Sequence, residues 1–163
     1  IKTAQATPKL ALELENLKSY LAIQETRFGD RLSFSVEIAP EILHWRIPSM
    51  TLQPIVENAI DHGLENCREG GTVIVRGVPQ GDEMIITVHD NGQGFPADVL
   101  DLFSLGDWTD ETWKDATAKV GLGLMNTHER IRRLYGKDYG LSIESRPDEY
   151  SLVTIRLPKH VGE

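Results

Sequence analysis

The chain has 163 residues, 40% of them hydrophobic and 26% charged, which is typical of one globular domain with a substantial core. The formal net charge is −8 and no basic stripe stands out, which argues against a nucleic-acid binder or a membrane-surface protein. The single Cys67 excludes an intrachain disulfide and favours a reducing compartment.

The first part of the chain predicts a helix, a strand and a second helix. Leucines spaced three to four residues apart predict an amphipathic helix over residues 9–28. The alternation of apolar and polar residues in LSFSVEI predicts a strand over 32–38. Ser49 is a candidate N-cap for a helix that continues to about residue 66.

The remainder predicts mainly strands, interrupted by a helical and polar segment. Strands are expected over 72–78, 83–89, 141–145 and 151–157, and helices over 97–103 and 121–135. The polar stretch GDWTDETWKDATAK between those two helices has little hydrophobic period. The order of the elements predicts an α+β fold, a two-layer sandwich with helices on one face of a mixed sheet.

The second predicted helix carries the sequence ENAIDHG over residues 57–63. Asp61 and His62 follow Asn58 by three and four residues, so all three can line one face of the helix. An amide oxygen with acceptors nearby suits Mg²⁺, which prefers oxygen ligands and is shared with phosphates. A polar, solvent-facing helix end is the simpler interpretation of this segment by itself.

Two glycine-containing motifs follow, DNGQG at 90–94 and GLGL at 121–124. Asp and Asn favour turns, and glycine lets a ligand come close, so the first motif is a surface loop or a ligand-binding loop with Asp90 as acceptor. The second motif directly precedes a helix, where backbone N–H groups and the helix dipole hold phosphates. Neither motif is specific by itself.

In this order, the three motifs resemble the nucleotide-binding boxes of the GHKL ATPase superfamily, which includes gyrase, MutL and histidine kinases. The similarity is greatest to sensor histidine kinases of the LytS/YesM type. It extends over ENLKSYLAIQETRFGDRL, IPSMTLQPIVENAIDHG, GLGLMNTHERIRRLYG and VTIRLP, and so covers nearly the whole chain. The resemblance implies a Bergerat-type ATP-binding domain over 31–163. The helix over 1–30 would then be the end of a linker from an upstream dimerisation and phosphoacceptor region.

The resemblance also implies a role for the residues of each motif. Asp90 is expected to accept a hydrogen bond from the adenine amino group of ATP. Asn58 is expected to bind Mg²⁺ with support from Glu57, and these two are the candidate catalytic residues. Residues 95–120 are expected to form a flexible lid over the nucleotide. The other nucleotide-binding positions are Asp61, His62, Gly92, Gly94, Gly121, Leu122, Gly123, Leu124 and Ser151.

Three positions bear on the chemistry that this resemblance implies. ATP-hydrolysing relatives carry a glutamate four residues before the asparagine, whereas this chain has Pro54, which cannot act as a general base. Tyr150 stands where relatives have a glycine, next to Ser151. Asp61 stands where relatives often have a basic residue.

The resemblance implies transfer of the γ-phosphoryl group of Mg-ATP to a histidine in an upstream segment, for relay to a response regulator. The histidines of this chain lack an acceptor context; His62 and His128 are expected at the edge of the site or on the surface. We therefore expect the isolated chain to be inactive in autophosphorylation. Two alternatives stay open, an ATP-hydrolysing GHKL enzyme and a regulatory nucleotide-binding module without kinase activity.

The full-length protein is expected to be a membrane-anchored bacterial sensor that forms a homodimer. This chain would be its cytoplasmic domain, in agreement with the single Cys67, and no stretch of the sequence approaches the 18 consecutive apolar residues of a membrane span. The chain starts without Met and in the middle of a pattern, so an anchor is expected in a preceding segment.

Overall fold

The computed structural model describes residues 7–64, 69–104 and 109–162. The helices are α1 (Leu10–Phe28), α2 (Leu52–Asn58), α3 (Ala97–Ser104), α4 (Asp110–Val120) and α5 (Leu122–Tyr135), and a π-helical turn over Ala59–Leu64 continues α2. The strands are β1 (Leu32–Ile38), β2 (Gly71–Gln80), β3 (Glu83–Asp90), β4 (Gly140–Arg146) and β5 (Tyr150–Pro158). Within the described residues, none of the helices combines the length and the apolar character needed to cross a bilayer.

The described strands form one mixed sheet in the order β1-β2-β3-β5-β4. β1 runs parallel to β2, and the other neighbouring strands are antiparallel. A parallel pair needs a crossover connection, and α2 lies in the chain between β1 and β2. The α+β fold predicted from the order of the elements is confirmed, with a mixed sheet whose inner face packs on the helices.

β3 is the strand that positions the first glycine motif. Every second residue of this strand is buried, namely Met84, Ile86, Val88 and Asp90. Successive side chains of a strand point to opposite faces, so the alternation that buries three apolar side chains against the helices also turns Asp90 toward them. Because Asp90 ends the strand, its carboxylate lies at the margin of the core.

α1 packs into the same core as the sheet. Leu10, Leu14, Leu17 and Leu21 are all buried in the cluster that also contains the inner face of the sheet. The predicted helix with its leucine stripe is therefore confirmed, and the stripe faces the core of this domain. The predicted division of the chain after residue 30 stays a prediction.

α2 begins later than predicted, and Ser49 does not cap it. The helix starts at Leu52 without a side-chain cap from its own N-cap residue. Instead, the Glu13 carboxylate of α1 accepts hydrogen bonds from the N–H groups of Met50 (3.2 Å) and Thr51 (3.3 Å). The N–H groups at a helix start need acceptors from outside the helix, and here another element supplies them.

The polar stretch within the expected lid contains a regular helix, α4, which the sequence analysis did not predict. Ala116 and Val120 are buried, and Trp113 packs partly against the core. Apolar side chains thus recur every three or four residues, which is the spacing of one helix face. The sequence analysis therefore missed the helix over residues 110–120, and the expectation that residues 95–120 form a lid over the nucleotide stays a prediction. Residues 105–108, which include a tryptophan, lie outside the described residues.

Candidate functional site

The three motifs meet around two adjoining cavities. The larger one, of about 400 Å³, lies between the end of β3, the loop after it and the turn from β4 to β5. The smaller one, of about 170 Å³, lies between α2 and the start of α5, and both cavities are lined by Asn58 and Val120. Of the other predicted site residues, Asp90, Gly94 and Ser151 line the larger cavity, and Glu57, Asp61 and residues 121–124 line the smaller one.

Asp90 presents a buried carboxylate to the larger cavity. The residue is 4% exposed, and its Oδ1 accepts a hydrogen bond from the Gly92 N–H at 2.9 Å. Burial raises the pKa of this carboxyl from 3.8 to about 6, against the opposing effect of the Gly92 N–H. A carboxylate has room for more than one donor, so Asp90 is suited to accept a second hydrogen bond from a ligand. Gly92 therefore acts here through its backbone.

Ser151 lies beside Asp90 because the two residues are paired between β5 and β3. Ser151 is 3% exposed and lines the larger cavity. Tyr150 points to the opposite face of the sheet, where it stacks on His89 at 5.7 Å and its hydroxyl donates to Glu144 at 2.6 Å. Tyr150, at the position where the resemblance implied a glycine, therefore leaves Ser151 at the cavity.

Gly94 has a packing role in addition to its place at the cavity. Its φ is +78°, and an added Cβ would lie 2.7 Å from Ser145 Oγ and 2.8 Å from the carbonyl oxygen of Arg146. A side chain at this position would therefore clash with the end of β4 as well as strain the backbone. Gly94 therefore allows the loop after β3 to pack closely against the end of β4.

Asn58 ties α2 to the backbone that precedes α5. Its Nδ2 donates a hydrogen bond to the carbonyl oxygen of Val120 at 3.1 Å. With the amide nitrogen engaged in this way, the amide oxygen is the atom that suits a metal ion. Glu57 adds a carboxylate to the smaller cavity, and its Oε2 accepts a hydrogen bond from Gln53 at 2.9 Å. These oxygens are of the kind that Mg²⁺ prefers.

The residues of GLGL differ in what they contribute. Gly121 has a φ of +91°, a backbone conformation that favours glycine, with open space around it. A Cβ added at Gly123 would make only an ordinary contact with Pro54, at 3.6 Å, so packing does not require that glycine. Leu122 is 56% exposed, whereas Leu124 is 1% exposed and belongs to the core. The start of α5 is thus an unobstructed helix N-terminus, which suits a phosphate group.

Residues 48–161 match the family model described as "Histidine kinase-, DNA gyrase B-, and HSP90-like ATPase". The chain belongs to this family. It is 33% identical over 149 residues to the sensor histidine kinase BtsS of Escherichia coli, and 33% identical over 146 residues to the sensor histidine kinase YesM of Bacillus subtilis. The matches cover 91% and 90% of this chain, but the chain spans only 23% of the length of each relative.

Solved catalytic domains of histidine kinases have a similar fold. The nucleotide-free catalytic domain of the histidine kinase ThkA matches with a TM-score of 0.66 at 15% identity, over 97% of this chain and 99% of that chain. ThkA in complex with the response regulator protein TrrA matches with a TM-score of 0.66 at 17% identity, over 96% of this chain and 42% of that chain. Together with the sequence relatives, these matches confirm the predicted resemblance to sensor histidine kinases of the GHKL superfamily.

Asp61, in the ENAIDHG motif, lies close to a cation, Arg27, that the sequence analysis did not single out. Its carboxylate is 3.7 Å from the guanidinium group of Arg27, at the end of α1, and both side chains are about half exposed. Exposed pairs of this kind add little stability. This pair nevertheless places a positive charge beside the smaller cavity, where Asp61 alone would repel a phosphate. The side chain of His62 lies outside the described residues, so its nucleotide contact stays a prediction.

His128 is a core residue, and the expectation that it lies at the surface or at the edge of the site is wrong. It is 5% exposed, and its Nδ1 accepts a hydrogen bond from the Leu141 N–H at 2.9 Å. Burial, reinforced by the charge of Arg132, lowers the pKa of the imidazole to about 4, so the ring is neutral at pH 7. The ring joins α5 to β4. Helical periodicity does not reveal such a bond.

The turn between β4 and β5 also reaches the larger cavity, which sequence reasoning missed. Pro147 and Asp148 line the cavity, and the Asp148 N–H donates a hydrogen bond to the carbonyl oxygen of Gln93 at 2.8 Å. This bond ties the turn to the loop of the first glycine motif. A Pro-Asp pair does predict a turn, but only the pairing of β5 with β3 brings that turn beside Asp90.

Proposed function

We propose that this chain binds Mg-ATP across the two adjoining cavities and forms the catalytic part of a protein histidine kinase. One observation carries the proposal: a buried carboxylate, that of Asp90, faces a cavity that adjoins Asn58 and the glycine-containing start of α5. A carboxylate accepts hydrogen bonds from an amino group such as that of adenine, and a helix N-terminus binds phosphates. The two ends of ATP thus meet groups of matching chemistry.

The oxygen atoms around Asn58 fit a Mg²⁺ ion. Asn58 and the Glu57 carboxylate line the smaller cavity together with Gly123, whose missing side chain leaves space for a phosphate. We assign Asn58 as the ligand and Glu57 as the support of its shell. When bound, the ion supplies positive charge that offsets the phosphate charges of the nucleotide.

A histidine on an upstream segment is the proposed phosphoryl acceptor. Among the described side chains, no histidine lines either cavity. A neutral imidazole is nucleophilic at pH 7 and needs no general base, which agrees with Pro54 at the position of the hydrolase glutamate. The imidazole nitrogen attacks the γ-phosphorus, the bond to the bridging oxygen of ADP breaks, and the imidazole proton passes to solvent. This chain contributes by holding and orienting the nucleotide.

For the longer protein we propose a membrane-anchored, homodimeric bacterial sensor with this chain as its cytoplasmic kinase domain. The phosphoryl group would then pass from the phosphohistidine to a response regulator. The relatives BtsS and YesM, which support this proposal, are named sensor histidine kinases, and this chain spans 23% of their length. ThkA, which shares the fold, has been solved in complex with a response regulator.

Titration with Mg-ATP and with adenosine tests the adenine end of the site. Asp90→Ala removes the acceptor, and both ligands should bind less tightly by roughly 1–3 kcal/mol, the range for a lost buried hydrogen bond. Asp82→Ala is the matched control, because Asp82 is an exposed acid in the turn at the other end of β3. Unchanged affinity in the Asp90 variant would contradict the adenine assignment.

Addition of the acceptor-bearing segment tests the kinase assignment separately. A chain that binds Mg-ATP should then form phosphohistidine. A chain that binds Mg-ATP but forms none, with the segment present as a folded dimer, would be a regulatory nucleotide-binding module.

A further inference from the structure

A short turn before α2 is held between two other helices. The Glu13 carboxylate of α1 accepts hydrogen bonds from the N–H groups of Met50 and Thr51, at 3.2 and 3.3 Å. From the other side, the Arg130 guanidinium of α5 donates to the carbonyl oxygen of Met50 at 3.0 Å and to Thr51 Oγ1 at 3.4 Å. We call these four residues the clamp. Met50 has a φ of 61°, a conformation that persists in a non-glycine residue only where its surroundings hold it.

The clamp relies on charged groups that are removed from water. Glu13 is 5% exposed, and burial lowers the pKa of Arg130 while the charge of Glu13 opposes that change. Removing either charged partner would leave the other without its counter-charge in a partly desolvated place, which is costly. The side chain of Thr51, the N-cap residue of α2, makes no capping bond of its own. What the clamp adds is a link between α1, α2 and α5.

α2 and α5 meet a second time at the smaller cavity. A Cβ added at Gly123 of α5 would lie 3.6 Å from Pro54 of α2, and Asn58 Nδ2 donates at 3.1 Å to the carbonyl oxygen of Val120, the last residue of α4 and two positions before α5. Asn58 lies seven residues after Thr51, and Gly123 lies seven residues before Arg130. Each helix therefore runs roughly 10 Å from the clamp to the cavity, at 1.5 Å per residue. Because the two helices are bonded through the turn at one end and are in contact at the other, loosening the bonded end lets the angle between them change at the cavity.

We propose that Glu13 and Arg130 are positioning residues for the phosphate end of the nucleotide. By holding the turn before α2 against α5, they set the spacing between Asn58 and the glycines that begin α5. Asp90 and Ser151 belong to the sheet, so the adenine end does not depend on the clamp. The inference rests on the proposed function, and it makes α1, through Glu13, part of the geometry of the phosphate site.

A comparison of adenosine binding with Mg-ATP binding distinguishes a loss of positioning from a loss of folding. Adenosine engages only the adenine end, whereas Mg-ATP engages both ends. Glu13→Gln should weaken Mg-ATP binding roughly tenfold, within the range for coupled sites, and leave adenosine binding within about twofold. Arg130→Lys should show the same pattern, because an ammonium group lacks the planar fork of a guanidinium. Partial unfolding weakens both ligands equally, so the ratio of the two dissociation constants reports positioning alone.

Glu15→Gln on α1 and Arg133→Lys on α5 are the matched controls, since both side chains are exposed and neither belongs to the clamp. Both should leave the ratio unchanged. If the Glu13 and Arg130 variants also leave it unchanged, the inference is overturned while the proposed function stands. If the unmodified chain binds neither ligand, the proposed function fails and the inference fails with it.

The double variant tests whether the clamp acts as one unit. Glu13→Gln combined with Arg130→Lys should weaken Mg-ATP binding by less than the product of the two single effects, because both residues act through the same turn. A double effect equal to that product would mean that the two residues act independently, which contradicts the proposal that the clamp acts as one unit.

Discussion

Replacing Asp90 with asparagine should stabilise the unliganded chain at neutral pH while it weakens nucleotide binding. Burial raises the pKa of the Asp90 carboxyl from 3.8 to about 6. Between these two values the folded chain binds more protons than the unfolded chain, so the free energy of unfolding falls as the pH rises through this window. Above pH 6 the loss is complete, and it amounts to about 3 kcal/mol at about 1.4 kcal/mol per pKa unit.

Asp90→Asn removes the buried charge and keeps an oxygen that can accept from the Gly92 N–H. Its new amide N–H groups need acceptors, which reduces the gain, so we expect a net stabilisation of about 1–2 kcal/mol at pH 8. The gain should shrink as the pH approaches 4, where the native carboxyl is protonated as well. Urea unfolding of the unliganded chain at pH 8, 6 and 4 measures this change directly.

Asp82→Asn is the control for the unfolding series, because its side chain is exposed and its stability difference should stay near zero at each pH. Mg-ATP affinity should meanwhile fall in the Asp90 variant, because an amide is a weaker acceptor than a carboxylate. An Asp90→Asn chain that is destabilised equally at pH 8 and pH 4 would refute the reasoning, since burial would then not disfavour the charged form of the native carboxyl.

Three further measurements address the metal, the lid and the reaction. Asn58→Ala should abolish the dependence of ATP binding on Mg²⁺, and an equal Mg²⁺ dependence in the variant and the unmodified chain would contradict the role of Asn58 as ligand. With Trp113 as the single tryptophan, fluorescence should respond to a saturating ATP analogue if α4 changes position on binding; an unchanged spectrum would mean that the ring stays packed on the domain. The isolated chain should form no phosphohistidine and hydrolyse ATP very slowly, and adding the acceptor-bearing segment should yield an acid-labile, alkali-stable product. Hydrolysis at roughly several turnovers per minute that Glu57→Ala abolishes would instead make Glu57 the general base of a hydrolase.

Local pattern was sufficient for most of the regular elements. The leucine spacing of α1 and the alternation of β1, β2, β3 and β5 involve neighbours within a few residues, so each is visible in a short window of sequence. The order of the three motifs was likewise sufficient for the family, to which residues 48–161 belong. Alternation along β3 even determines the face to which Asp90 turns, because the side-chain period of a strand is two.

α4 and the start of α2 show where local pattern was insufficient. The apolar side chains of α4 are few and separated by charged residues, so its stripe becomes clear only once Ala116 and Val120 are seen in the core. Ser49 is a good capping residue by type, yet a carboxylate 37 and 38 positions earlier in the chain accepts the N–H groups of Met50 and Thr51. A local preference of this kind is small enough for a tertiary contact to override it.

The amino-acid sequence by itself thus determined the fold class, the motifs and the chemical type of each candidate site residue. The tertiary structure alone decided that Tyr150 faces away from the cavity, that His128 is neutral and buried, and that the turn at Pro147 borders the site. It also joined Asn58 to a carbonyl group 62 residues away and Arg130 to one 80 residues away. Periodicity extends over a few turns or strand residues, whereas these bonds depend on how whole elements pair and pack, and that arrangement is reached only when the complete core is buried.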